Sequence, residues 1–546
     1  MGERGSEFPR DWSRRDMLRL GLFGAGAFAL GPTLAACTGG SSSGTAKVSP
    51  TAFTGGPSKA GTPIKGGTLT IGFQTYGKSE TISPLATLNL PDFARVLNLY
   101  DFMFNQEAGG KASNALIETA ETNADSTVWN LKVRQGVTWH DGKPLTADDI
   151  VYTIQGAWGN PNNLFNGGLA QIVDFANVKK TGQYEVTVPL KMGVAKFPTI
   201  ACFVNCAVVQ NGTKNFNNGI GTGPFKLKSF DPGTRSVFTR NDDYWGDGGP
   251  YVDQLIIDSS YASDEARTNA LLAGQIDVLP QAPFTLMRAN AATGRIVIGN
   301  QPGPGTTPII MRVDKGSLSS PELRRALKLI PDRSKYVDAA YGGYGTEGND
   351  LMGYTNQYFA DGIKGSHDPE QAKSILKKAG MAGISLTLDT SAAVAGMNET
   401  SALFQQDAKA AGVEIKLNVI DPATFFTPAT GVFERPFAVS YYATGLNSLP
   451  VYYAVAALPG GIYNETHFGT PAQVKQLGAA LKEQDDTKAE QLWHDVQQTQ
   501  ISDGGYIVPS NFNYVDGYGL NVRGVQTTSN MNCDNFNFKT AWVNKG

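Results

Sequence analysis

The sequence predicts an α/β protein of at least two domains, with mixed β-sheets flanked by helices. Three observations carry this. The chain has 546 residues, and the roughly 500 that follow its leader are more than one hydrophobic core usually serves. The stretch STVWNLKVRQGVTWHDGKPLTADDIVYTIQGAW alternates apolar and polar residues over 129–134, turns at Asp141 and Gly142, and then starts a helix. In the second half ISLTLDTS and VEIKLNVI flank the helical NETSALFQQDAKAAG, the βαβ alternation of a sheet with helices on its faces.

The chain opens with an address. Residues 13–37 read SRRDMLRLGLFGAGAFALGPTLAAC, with an uncharged run over 20–36 broken by Gly and Pro. That is a secretory signal rather than a membrane span. Arg14 and Arg15 resemble a twin-arginine export signal, with Met17 and Arg19 where Phe and Lys are more usual. Leu34, Ala35, Ala36 and Cys37 resemble a bacterial lipobox, which implies a lipidated Cys37 as mature N-terminus and an anchor on the outer face of the cell membrane. Residues 1–36 are thus the expected signal peptide. Residues 37–65, rich in Gly, Ser, Thr and Pro, are the expected tether.

The net charge of −3 marks neither nucleic acid nor an acidic membrane surface as a partner. With Cys37 lipidated, Cys202, Cys206 and Cys533 remain, and one disulfide with one spare thiol is the simplest expectation outside the cytosol. Cys202 and Cys206 have no second CxxC and no nearby His, so no metal site is expected.

After the tether, GGTLTIGF over 66–73 reads as a short buried strand. Gly72, Gly77, Lys78 and Ser79 then satisfy the phosphate-loop spacing GxxxxGK[ST]. That motif needs a helix starting at the Lys-Ser pair, and Pro84 and Pro91 break the segment that should supply it, so a plain loop is expected. Farther on, Thr146 and Asp149 form a capping box ahead of Ile150, Val151 and Ile154. YEVTVPLK and GTRSVFTR read as strands, and SDEARTNALLAGQID, SPELRRALKLI and DPEQAKSILKKAG as amphipathic helices. The histidines, at 140, 367, 467 and 494, lie far apart with no HExxH or GxSxG setting, so no catalytic residue and no cofactor is expected.

Five stretches in order carry a family resemblance. They are LKVRQGVTWHDGKPLTADDIVYTI, GIGTGPFKLKSFDPG, TRNDDYWGDGGPYVDQLII, EARTNALLAGQIDVL, and SSPELRRALKLIPDR with YGGYGTEG after it. Together they resemble the extracellular solute-binding proteins of family 5, receptors of ABC importers for peptides and nickel. The resemblance implies a two-lobed periplasmic-binding-protein-like fold of type II, with an extra subdomain in the first lobe and a hinge that closes on a ligand. It implies lobe I over 66–310 plus 505–546 and lobe II over 311–504. It also implies an extracytoplasmic monomer that hands a peptide or related solute to a permease with ATPase subunits, and no enzymatic role.

In peptide receptors of that family, a stretch of form GW.xDxxxP carries an aspartate that pairs with the peptide's α-ammonium group. The corresponding stretch here is PFAVSYYATGLNSLPVYY over 436–453, where the aspartate position falls on Leu446. Either an acid from another segment supplies the charge, or the ligand is uncharged there, such as a blocked peptide or an oligosaccharide. Tyr441, Tyr442 and Asn447 are amphipathic candidates for contact. Strand alternation allows at most one of the two tyrosines to reach the cleft. Gln74, Thr75 and Tyr76, at the exit of the first strand, complete the candidate set. The alternatives are an exported hydrolase on the same scaffold, or a receptor for an oligosaccharide or metal chelate.

Overall fold

A computed structural model describes residues 56–57, 61–426, 431–442, 448–453 and 464–544. The signal peptide, Cys37, most of the tether, Leu446 and Asn447 lie outside the described residues.

Two mixed sheets dominate. The first holds eight strands, seven of them in the order Ile296–Thr306, Ser510–Gly519, Val278–Leu279, Thr68–Gln74, Gln254–Tyr261, Arg235–Arg240 and Phe225–Asp231. The eighth, Gly345–Glu347, pairs with Ser510–Gly519. Thr68–Gln74 is central: Leu69, Ile71 and Phe73 are buried on one face, Gly72 is buried on the other, and the strand runs parallel to both neighbours. The second sheet has the order Glu414–Ile420, Ser385–Ser391, Phe437–Val439, Ile309–Met311 and Tyr506–Ile507. Helix Met397–Ala408 covers it as the crossover from Ser385–Ser391 to the parallel edge strand Glu414–Ile420.

A third, antiparallel sheet orders Ile117–Thr122, Val128–Val133, Glu185–Pro189 and Lys179–Gly182. It carries the alternating stretch read from the sequence. The capping box follows it: the Thr146 N–H and hydroxyl both donate to Asp149 Oδ2, at 2.8 and 3.2 Å. Helix Ala147–Tyr152 starts there and widens into a π-turn over Thr153–Trp158.

Two crossings of two residues each, Thr307 with Pro308 and Val508 with Pro509, join strands of the two main sheets directly, and the chain visits the first sheet once more through Gly345–Glu347. Proline has no N–H to give a ladder, so both crossings interrupt what would otherwise be continuous strands. Side chains hold each crossing. Thr307 Oγ1 lies 2.8 Å from Tyr341 Oη and 2.9 Å from Thr400 Oγ1. Asp350 accepts the Val508 N–H at 3.0 Å and is itself paired with Arg333 at 2.8 Å, both side chains buried. The arginine of the LIPDR stretch thus braces a crossing.

The WHDG and GTGP stretches are partners. The His140 N–H donates to the Gly221 carbonyl at 2.8 Å, and the Gly221 N–H donates back to His140 Nδ1 at 3.2 Å. With Nδ1 accepting, Nε2 carries the proton toward the Gly223 carbonyl 3.0 Å away, a neutral ring. Burial, which lowers the His140 pKa, favours the same state. A Cβ on Gly221 would stand 1.9 Å from the Leu99 carbonyl oxygen. Gly221→Ala is therefore expected to cost about 1–3 kcal/mol, as overpacking does, seen as a lower urea midpoint with unchanged slope.

The cysteine expectation is corrected. Cys202, Cys206 and Cys533 are all buried free thiols, so no disulfide forms among them. The Cys202 thiol donates to the Thr199 carbonyl at 3.1 Å, while Cys533 accepts from the Tyr518 hydroxyl at 3.8 Å. Burial pushes the Cys202 thiol up to about 12, which leaves little thiolate for oxidation.

Candidate ligand-binding site

The first strand ends at Gln74, and the turn after it is tightly built. The Thr75 N–H donates to the Tyr261 carbonyl at 2.9 Å, and its hydroxyl donates to the Gly233 carbonyl at 3.1 Å. Thr75 is thereby committed to the turn. Gln74 is exposed, and Tyr76 keeps 46 % of its surface open. Desolvation raises the Tyr76 pKa, and nearby Arg267 partly opposes it. Gly77–Ser79 is a single 3-10 turn, and Lys78 is an exposed side chain 3.6 Å from Asp231. No helix begins there to cradle a phosphate.

A buried charge cluster holds this turn. The Tyr76 N–H donates to Glu80 Oε1 at 2.9 Å, and Glu80 Oε2 accepts from Arg95 at 2.6 Å and from Ser259 at 2.6 Å. Arg95 also donates to Asp92, Ser236 and Ser259 at 3.1, 2.7 and 2.8 Å. One guanidinium thus faces two carboxylates with all three side chains closed to solvent. Burial, which raises the Asp92 pKa, outweighs the backbone N–H groups and Arg95 that lower it.

From the second sheet, Phe437–Val439 leads to Tyr441. Here the chain lies against the first crossing, with the Tyr442 and Thr306 N–H groups each donating to the other's carbonyl at 2.9 Å. The two tyrosines part. The Tyr441 ring stacks on Phe512 with centroids 5.7 Å apart and planes at 11°, and its hydroxyl accepts from Gln281 Nε2 at 2.8 Å. Tyr442 is buried at 7 % exposure, and its hydroxyl donates to Glu465 Oε2 at 2.7 Å. The structure therefore brings Tyr441 to a residue of the first sheet's side and sends Tyr442 into the core.

Gln281, Phe512 and Glu465 escaped the sequence reading. Gln281 follows the two-residue strand Val278–Leu279, with φ of 47°, and no residue pattern announces either feature. Glu465 accepts from Ser440 at 2.9 Å, from Tyr442, and from Tyr506 at 3.5 Å. Residues 443–463 contain no Lys, Arg or His, and no ion pair to Glu465 occurs among the described residues. Burial, opposed by its three hydroxyl donors, pushes the Glu465 carboxyl up to about 7.

Two surface hollows lie elsewhere, of about 420 Å³ beside Arg134 and Trp245 and about 540 Å³ beside Trp139 and His140. None of the candidate residues lines them. Among the described residues no cluster of three His, Cys, Asp or Glu could hold a metal ion. No helix there is long and apolar enough to cross a membrane.

The glutathione-binding protein GsiB of Pectobacterium atrosepticum is 21 % identical over 75 % of this chain and 82 % of its own length. The structure of DppA from Helicobacter pylori in complex with the peptide STSA superposes with a TM-score of 0.73 at 20 % identity, covering 88 % of this chain and 99 % of that one. The oligopeptide-binding protein AppA from Bacillus subtilis, solved with a nonapeptide, gives 0.72 at 20 % identity over 89 % and 100 %. The fold is that of the two-lobed periplasmic binding proteins. The family model described as bacterial extracellular solute-binding proteins, family 5 (middle), matches residues 111–461, and this chain belongs to that family.

Proposed function

We propose that this chain is the substrate-binding component of an ABC importer, a non-enzymatic receptor that captures a peptide or peptide-like solute between its lobes and presents it to a permease. One observation carries the reading: Gln281, just past a strand of one sheet, meets Tyr441, just past a strand of the other, with Tyr76 acting on the same phenol, beside the two short connections that join the sheets. Closure of such lobes buries a ligand among polar groups from both sides, and no bond need break. The printed ligands of the relatives, glutathione and peptides, supply the solute class.

We propose that the lobes divide near these crossings, at the limits 310 and 505 read in the sequence; the pairing of Ile309 and Ile310, and of Tyr506 and Ile507, within the second sheet supports this division. Gly345–Glu347 returns to the first sheet from within the second lobe's span.

The peptide class carries a condition. With Leu446 at the position of the ammonium-binding aspartate, an N-terminally blocked or otherwise uncharged group suits the site better than a free ammonium. Gln74, Tyr76, Tyr441, Leu446 and Asn447 are the proposed contacts. Mass spectrometry of the small molecule that co-purifies with the protein tests this, because it names the ligand without presupposing its class. A peptide or peptide-like solute is expected, and a cleaved product in its place would favour the hydrolase reading.

Lipid anchoring through Cys37 belongs to the same proposal. Cys37→Ser is expected to move the protein from the membrane fraction to the soluble one without changing ligand affinity, followed by immunoblotting of fractions. Unchanged membrane retention would contradict the lipobox.

A further inference from the structure

Gln281 is held in a conformation that glutamine rarely takes. Its φ of 47° lies in the left-handed region. Three anchors keep it there. The Gln281 N–H donates to Asp516 Oδ1 at 3.0 Å, its carbonyl accepts from Arg267 Nη2 at 3.3 Å, and the preceding Pro280 carbonyl accepts from Arg267 Nη1 at 3.1 Å. A strained residue that its surroundings fix from three sides points to a task for its side chain. That side chain spans the two sheets, its Nε2 donating to the Tyr441 hydroxyl at 2.8 Å.

The charges around this bond are already spent. Arg267 is paired with Asp264 at 2.5 Å. Asp516 accepts from Thr527, Asn532 and the Cys533 N–H at 2.7, 2.7 and 2.8 Å. The titratable neighbours that act on Tyr441 are phenols, Tyr76 and Tyr341, and burial keeps its own hydroxyl protonated. What the pair offers is neutral. The Tyr441 oxygen accepts from Gln281 and still has its O–H to donate, while the carboxamide still has Oε1 to accept. A donor and an acceptor side by side match a group that carries both a carbonyl and an N–H.

We propose that Gln281 is a specificity-determining residue which, coupled to Tyr441 across the lobes, reads a neutral amide-type group of the ligand. This rests on the receptor reading above and adds to it a residue and a chemical class. Stacking of Tyr441 on Phe512 fixes the phenol for that task.

The test uses two named probes, tetra-alanine with its free ammonium and N-acetyl-tetra-alanine amide, titrated calorimetrically into wild type, Gln281→Leu, Gln281→Glu and Tyr441→Phe. Wild type is expected to prefer the acetylated amide. Gln281→Leu should weaken that probe about tenfold, the loss of one neutral hydrogen bond with its partner left unmatched. Gln281→Glu should shift preference toward the free ammonium. Equal affinities in wild type and Gln281→Leu would overturn the proposal. If wild type binds neither probe, the peptide class of the proposed function fails, and the radius of gyration of the ligand-free variants decides for Gln281. An equal increase in Gln281→Leu, Tyr441→Phe and the double variant supports the coupled pair, and no increase in any of them overturns it.

Discussion

Arg95→Met is expected to destabilise the protein by about 3–5 kcal/mol, the cost of breaking a buried ion pair and leaving its partner uncompensated. The loss is large because two carboxylates, Glu80 and Asp92, depend on this one guanidinium, and all three side chains are sealed from water. Glu80 also receives the Tyr76 N–H, so the turn at the end of the first strand should loosen and ligand affinity fall with stability. Adding Glu80→Gln and Asp92→Asn to Arg95→Met removes the stranded charges and should restore most of the stability. Urea unfolding of the three proteins checks this. An unchanged midpoint for Arg95→Met would mean that water reaches the cluster.

Stability is expected to fall as pH rises from about 4.5 to about 7, through Glu465. Burial raises its carboxyl from the ordinary 4.5 to about 7 in the folded protein. Below both values the group is protonated in the folded and unfolded chains alike, and it contributes no difference. Between them the unfolded chain releases its proton while the folded one keeps it, so folding loses roughly 3 kcal/mol across the window and no more above it. Glu465→Gln should flatten this part of the profile, measured by denaturant unfolding across the window. A wild-type profile that rises there as steeply as the variant's would contradict an uncompensated buried carboxyl. Ser440, Tyr442 and Tyr506 come from segments flanking both crossings, so ionisation of Glu465 should also be felt in lobe closure.

The fold was largely legible, and the reason is local. Thr68–Gln74 reads as a strand because its apolar run ends at a glycine-bearing loop, and Ala147–Tyr152 as a helix because Thr146 and Asp149 cap it through contacts three residues apart. Period-two alternation likewise separates Tyr441 from Tyr442 without knowledge of the fold. What could not be read depends on contacts far apart in the chain. Gln281 meets Tyr441 across 160 positions, and Arg95 reaches Ser259 across 164. The disulfide expectation failed for the same reason: counting cysteines says nothing of where each thiol packs, and here each is buried as a free thiol. Pro308 and Pro509 mark the crossings, yet the sequence offers 29 prolines and nothing local tells these two apart.

In the proposed function two lobes close on a solute. Small-angle scattering of the purified protein with and without the molecule that co-purifies with it tests this most directly. Saturable compaction, a smaller radius of gyration in step with occupancy and accompanied by a higher unfolding temperature, is the predicted result. Saturable binding with no change in radius of gyration or unfolding temperature would contradict it.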